Sequence, residues 1–339
     1  TSKEYTCYYA RVLDQHAPIA LDVLSDMFFN SVFDSGELEK EKNVVIEEIS
    51  MYEDTPDDLV HDLIARASYG QHPLGYSILG TEDVLRGLKR DDLLQYIERR
   101  YLPANTVISV AGNFDDSLTE AIKERFSASS SSHQDIAVAA PAFVAEGIVH
   151  QKTTEQAHLC IALPGLPVGH EYSYSLTLLN NVLGGSMSSR LFQEIREERG
   201  LAYSVYSYHS AYKETGTFTI YTGTAPDQVG QVFDIVSHLL RDIAENGITD
   251  KELNKGKEQL KGSLMLSLES TNSRMSRLGK NELLLKRHLS LDEVIAKIDS
   301  VNHDTVQTIA QQLFRQKMAL AMVSPLDSFP ANVKSDILL

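Results

Sequence analysis

Residues 34–52 (DSGELEKEKNVVIEEISMY) carry a stripe at 3–4 spacing: Leu38, Glu41, Val45, Glu48 and Tyr52. That spacing predicts one face of a helix. Asp34 and Glu37 fit a capping box at its start, each satisfying an orphan amide near the other. Two of the five stripe positions are carboxylates, about two helical turns apart. An ionised carboxylate on a core-facing stripe is costly unless a cation meets it. The pattern therefore asks for a positive partner for Glu41 and Glu48. Glu37, Glu39 and Glu47 fall off the stripe and read as solvated charge. The plain alternative for Glu41 and Glu48 is a solvated face or a salt bridge to Lys or Arg.

The same reading extends along the chain. Tyr5 to Leu13 has a strand pattern, and an amphipathic helix follows from about Pro18 to Val32, with Leu21, Leu24, Met27 and Phe28 at helical spacing. Thr55-Pro56-Asp57-Asp58 breaks the acidic helix and starts another, whose apolar side is Leu59, Leu63 and Ile64. Gln71 to Gly75 is a loop. A short helix at 91–101 stops before Pro103, Val107 to Gly112 reads as a buried strand, and 116–126 as a helix. Residues 127–142 open with a serine run and read as a linker. The expected domains are 1–126 and 143–339. In the second, strands are expected at 158–163, 202–210, 216–223 and 319–323. Helices are expected at 172–183, through Arg196 as far as Gly200, and at about 226–246, 250–268, 271–286 and 291–315.

The halves resemble each other. Leu38-Glu39-Lys40-Glu41-Lys42 aligns with Leu253-Asn254-Lys255-Gly256-Lys257, and Leu63 with Leu278. Glu53-Asp54-Thr55 compares with Glu269 to Thr271, and Ala17-Pro18 with Ala225-Pro226. Glu41 and Glu48 of the first copy become Gly256 and Ser263 in the second. The fold therefore does not need the two carboxylates. The class expected is α+β: two similar domains, each a mostly antiparallel sheet with helices on one face.

Composition narrows the function. The 339 residues carry a net charge of −16, which argues against a nucleic-acid partner because phosphate would be repelled. Cys7 and Cys160 suggest no disulfide framework and fit a reducing, cytoplasmic compartment. No stretch has the apolar length of a membrane span. The chain opens at Thr1 already inside a strand pattern, as if cut in mid-domain.

The E-x6-E of Glu41 and Glu48 resembles the downstream half of the zinc site in the pitrilysin/insulinase superfamily, the inverzincins, which include processing peptidases. The resemblance runs over essentially the whole chain. Thr1-Ser2-Lys3-Glu4-Tyr5-Thr6 looks like that family's active-site edge strand. His72-Pro73-Leu74-Gly75 and Ile78-Leu79-Gly80 look like its loop. Arg196 to Tyr203 resembles its R-x6-Y pair. The resemblance implies a zinc metalloendopeptidase with Glu48 as a zinc ligand and Glu41 orienting a ligand histidine. It also implies that Arg196 and Tyr203 hold the scissile carbonyl and developing oxyanion. A peptide substrate would pair with Thr1, Ser2, Lys3 and Glu4, and two chains would form a homodimer. The sequence departs from the family in one large respect: none of its eleven histidines begins H-x-x-E-H. One zinc ligand and no general base are then present, and weak metal binding is expected of this chain. The alternative is a non-catalytic peptide-binding or partner subunit. A structural subunit of a respiratory complex is a more distant one, without a membrane-facing segment or basic patch to support it.

Two further features invite a functional reading and favour a plainer one. Gly184-Gly185 has no phosphate-loop context and reads as a helix-turn pair, with a peptide-contacting loop as the family alternative. His61 reads as a satisfied structural histidine rather than a ligand.

Overall fold

The computed structural model describes residues 1–127 and 139–335. Most of the expected linker, residues 128–138, therefore lies outside the described residues. The helices in chain order are α1 (Ala17–Phe29), α2 (Ser35–Asp54), α3 (Pro56–Tyr69), α4 (Glu82–Gly87), α5 (Arg90–Arg100) and α6 (Asp116–Phe126). Strands β1 (Gly147–Gln151) and β2 (Ala157–Pro164) precede α7 (Ser173–Leu183), which leads to β3 (Ala202–Ala211) and β4 (Gly216–Thr224). Then come α8 (Val229–Asn246), α9 (Asp250–Ser267), α10 (Thr271–Lys280), α11 (Leu291–Ser300), α12 (His303–Phe314) and β5 (Ala319–Ser324). The class is α+β, as the pattern predicts.

The chain divides into two compact units, each assembled from three segments. The first takes residues 1–49, 78–138 and 263–288, and the second takes 50–77, 139–262 and 289–339. In the first unit α1 meets α6 through a knot of rings: Phe28 and Phe29 lie 5.7 and 4.9 Å from Phe126. Arg125 seals it by donating to Asp22 and to Ser25 Oγ. Ser109 Oγ donates to the Met275 carbonyl on α10 at 2.8 Å.

The strands expected at residues 5–13 and 107–112 are absent. Both segments lie outside any strand among the described residues, and Tyr8, Tyr9, Val12, Leu13 and Ile108 are exposed. Alternation shapes one strand, but a ladder needs a partner for its amides and carbonyls. The described residues of this unit bring none.

The second unit holds one five-stranded sheet in the order β1-β5-β2-β4-β3. Only the β1–β5 pair is parallel; β2 pairs antiparallel with both β5 and β4, and β4 with β3. Period-two alternation sorts its side chains. Leu159, Ile161 and Leu163 on β2, Phe218 and Ile220 on β4, and Leu320 and Met322 on β5 face the main core with α7, α8 and α12. The intervening Cys160, Ala162, Ala319, Ala321 and Val323 face α3, where Val60, Ile64 and Ala67 pack. Small residues on that face let a helix approach closely. The buried side of α3 is thus turned from the expected one, with Leu59 and Leu63 only half-buried. The long helix expected at 291–315 breaks in two because Asn302 and Thr305 form a capping box that starts α12. β1 carries too short a pattern to be read from sequence, and it exists because β5 pairs with it.

Candidate functional site

β3 is one of the two edge strands of the sheet, β1 being the other, and it pairs only with β4 among the described residues. Beside it lies a groove of about 380 Å³, lined by Gly184 to Met187, Phe192, Arg196 and residues 203–207. Its floor is set by close backbone contact. The Ser207 amide donates to the Gly184 carbonyl at 3.1 Å. A Cβ on Gly184 would sit 2.5 Å from the Ser207 nitrogen, so a side chain there would push the loop off the strand. Gly184 caps α7, its amide donating to the Asn180 carbonyl, which bears out the helix-turn reading of the glycine pair.

Arg196 and Tyr203 meet. The Arg196 guanidinium lies 4.5 Å from the centre of the Tyr203 ring and 4.8 Å from that of Phe192. A cation between two ring faces gains about 0.5–1 kcal/mol per ring at such exposed sites. Its nearest carboxylate, Glu197, stands 3.8 Å away, too far for a good hydrogen bond. Two backbone irregularities build this arrangement. The segment Phe192–Glu198 is a π-helical turn rather than the expected α-helix. Ala202 pairs with Thr224 while Ser204 pairs with Gly223, so Tyr203 is the extra residue of a β-bulge. A bulge re-aims the side chain it carries, and Tyr203 is 76% exposed at the groove.

Arg190 anchors the far end of the loop. It makes a two-pronged contact with Glu252 at 2.7 and 2.8 Å, and meets Asp242 at 2.7 Å and the Gly247 carbonyl at 3.2 Å. Sequence reasoning missed Arg190, Phe192 and the bulge. Phe192 had a local signal, four residues before Arg196 and hence on the same helical face. Arg190 had none, because its partners come from α8 and α9.

In the first unit, Glu41 and Glu48 share a face of α2, but that face is exposed. The buried side is turned by about one residue: Lys42 is only 8% exposed, and Leu38, Val45, Ile46 and Ile49 are half-buried. Tyr52 is exposed as well. The inward stripe predicted from sequence is therefore corrected. Exposed carboxylates need no cation, and neither forms an ion pair among the described residues. Thr1, Ser2, Lys3 and Glu4 form no edge strand. The Ser2 amide and hydroxyl both donate to the Tyr5 carbonyl, at 2.9 and 3.2 Å, which bends the segment.

The described residues contain no group of three or more His, Cys, Asp or Glu side chains able to hold a metal. A lone exposed carboxylate does not hold catalytic zinc, which takes three protein ligands. These residues do not by themselves fit a zinc centre. No helix among them is long and apolar enough to cross a membrane.

Residues 1–82 match the family model described as Insulinase (Peptidase family M16), and residues 87–260 match the one described as Peptidase M16 inactive domain. An uncharacterized zinc protease of Bacillus subtilis, YmxG, is 56% identical over 331 residues, covering 98% of this chain and 81% of its own. The chain belongs to peptidase family M16. Within M16, an uncharacterized zinc protease of Streptomyces coelicolor is 40% identical over 341 residues, covering 98% of this chain and 74% of its own. A protease from Helicobacter pylori shares the M16 fold with a TM-score of 0.81 at 18% identity, covering 92% of this chain and 78% of that one.

Proposed function

We propose that this chain serves a zinc-dependent endopeptidase, and that the groove beside β3 holds an extended peptide. The observation that carries the reading is the stacked Arg196–Tyr203 pair at an open strand edge. An edge strand offers amides and carbonyls to a peptide backbone; the Gly184 carbonyl already takes the Ser207 amide, which leaves the stretch of β3 before Ser207 for the peptide. Arg196 supplies donors without a close carboxylate competing for them, and the Tyr203 hydroxyl supplies another. Both suit a peptide carbonyl and the negative charge it gains when attacked. In the same reading Glu48 is the zinc ligand this chain contributes and Glu41 orients a ligand histidine. The histidines come from outside these 339 residues. Pairing with a second copy belongs to the proposal and is checked by sedimentation.

The test is binding of a labelled, unstructured peptide to this chain, and its hydrolysis when the chain is joined to the polypeptide that supplies the histidines. Arg196→Ala should weaken binding by about tenfold or more, since hydrogen bonds to charged groups contribute about 1.5–3 kcal/mol. Tyr203→Phe should lower turnover by about 100-fold if its hydroxyl acts as an oxyanion donor. Undiminished affinity in a folded Arg196→Ala chain sinks the reading.

A second reading is a non-catalytic peptide-binding subunit. It is favoured by the lack of a metal-holding group among the described residues and by the match to the inactive-domain model. Zinc analysis separates the two. Peptide binding that depends on Arg196, without zinc or hydrolysis in the full-length protein, selects the binding subunit.

A further inference from the structure

The segment 189–198 stands between two grooves of the second unit. Phe192 and Arg196 line the groove beside β3. Arg190, Gln193 and Glu194 line a larger groove, of about 810 Å³, along α8 and the start of α9. Arg190 is held on that second side. Its side chain is only 17% exposed, and its four contacts all leave the segment: two to Glu252, one to Asp242 and one to the Gly247 carbonyl. Glu252 is a fixed acceptor. It caps α9 by taking the Thr249 amide at 2.7 Å and the Thr249 hydroxyl at 3.0 Å, while its own amide donates to that hydroxyl at 3.2 Å. Asp242 is held as well, by the Asn246 side-chain amide, which donates to it at 2.7 Å.

A fork of this kind does what apolar packing cannot. Leu191 and Ile195 are fully buried and fix how deep the segment sits, but apolar contact is non-directional. The guanidinium meets the Glu252 carboxylate through two bonds, which fixes its plane and direction. Direction matters here because the residues that follow, Phe192–Glu198, form a π turn. A π turn holds an extra residue and is rare beside the α-helix. Relaxing to α would rotate the side chains beyond the extra residue by about 100°, the angle one residue spans, and would carry Arg196 off the Tyr203 ring. The far end of the turn is closed separately. Gly200, at a φ of 61°, gives its amide to the Arg196 carbonyl at 3.2 Å, and the Leu201 amide goes to the Ile195 carbonyl at 2.8 Å. Arg190 ties the near end to α8 and α9.

The opposite wall of the groove is fixed without Arg190. β3 pairs with β4 from Ala202 to Ala211. α3 braces it as well: the Tyr206 hydroxyl lies 3.1 Å from His61 Nε2, and that of Tyr208 lies 2.8 Å from His61 Nδ1. His61 is thus the satisfied structural histidine expected from sequence. The wall free to shift is the turn that carries Arg196. A change at Arg190 reaches the groove beside β3 through that turn, although Arg190 itself lines the other groove.

We propose that Arg190 is a positioning residue for the groove beside β3: its fork on Glu252 keeps the π turn in register, and so aims Arg196 at the Tyr203 ring and at a bound peptide. The peptide clause rests on the function proposed above; the aim of Arg196 does not. The chain contains no tryptophan, so Tyr203→Trp puts a single emitter beside the Arg196 guanidinium. Tyr203→Trp/Arg196→Ala calibrates the emission change on losing that contact. Tyr203→Trp/Arg190→Gln should reproduce most of this change with circular dichroism unchanged. Tyr203→Trp/Arg190→Lys should do the same, since an ammonium keeps the charge but lacks the fork. A role in stability alone would lower the urea midpoint and leave the emission of the folded chain as it was. Tyr203→Trp/Ile309→Ala, at a fully buried side chain of α12, shows that case: a lower midpoint with unchanged emission. Emission unmoved by folded Arg190→Lys, unmoved by Arg196→Ala, or moved as much by Ile309→Ala, overturns the proposal. With a labelled peptide and native Tyr203, Arg190→Lys should raise Kd at least about tenfold, and less than about twofold once Arg196 is replaced by alanine. Equal losses in the two backgrounds overturn it as well. The reporter change without peptide affinity in the native chain supports the positioning role and refutes the peptide reading.

Discussion

The two units of this chain are built of similar helices and differ in what those helices bury. Every buried apolar side chain among the described residues lies in the second unit. The first has none; Ile19, Val23 and Met27 line α1 at four-residue spacing and are all exposed. Periodicity therefore forms a helix in both units, but in the first the face it meets is shallow, with Leu21, Leu24 and Phe28 of α1 only half-buried. Since helical stability in proteins comes mostly from packing an amphipathic face, the two units should differ in how tightly their backbones are held.

Hydrogen exchange tests the contrast most directly. Amides in α1 and α6 should exchange at least about 100-fold faster than those in β2 and β4, because local opening free energies range from near zero to the global value. Equal protection would erase the comparison. Core truncation comes next. Phe233→Ala, at a side chain with no exposure, should cost about 3–5 kcal/mol. Val23→Ala in α1 should cost less than about 0.5 kcal/mol, as at ordinary surface positions. Urea denaturation reads both.

The two copies of the acidic helix sharpen the point at one residue. Glu41 on α2 is exposed, whereas its counterpart Gly256 on α9 is buried, and a Cβ there would lie 3.0 Å from Leu178 Cγ. Gly256→Ala should be destabilising by about 1 kcal/mol, overpacking of about 1–3 kcal/mol outweighing a gain in helix propensity of about 1 kcal/mol. Gly262→Ala, on the same helix with open space around it, should instead stabilise by about 0.5–1 kcal/mol. A shared sign for the two would contradict the packing account.

The smallest expected effect is acid-linked and confined to the second unit. His61, His158 and His209 all have pKa values lowered chiefly by burial. Each takes up its proton less readily folded than unfolded. In the window from about pH 6.5 down to the depressed folded values, the unfolded chain binds more protons. Stability is then full above that window and falls as pH drops through it. Urea midpoints at about pH 7.5 and 5.5 should show the fall, and His209→Gln should reduce it.

Much of the second unit was legible because its signals are local. The alternation of β2, the proline and threonine that open α3, and the glycine that ends α7 all act within a few residues. The repeat was legible too: Thr55 and Ser270 cap α3 and α10 at the offset that relates Leu63 to Leu278. The caps align one residue away from the match of Thr55 with Thr271. The site was legible only in part. The resemblance to the family's R-x6-Y pair singled out Arg196 and Tyr203, but nothing in their spacing foretold the bulge that turns Tyr203 outward, since a bulge depends on how β4 pairs. The Arg190 anchor was hidden because Glu252 lies 62 residues away.

By itself the sequence determined where helices start and stop, which strands alternate, that one half echoes the other, and which residues carry chemistry. Tertiary structure decided which face of α2 and α3 is buried, the order of the strands, the open edge at β3 and the company His61 keeps. Periods and caps are set by neighbours along the chain, whereas burial and pairing are set by partners that arrive from a distance.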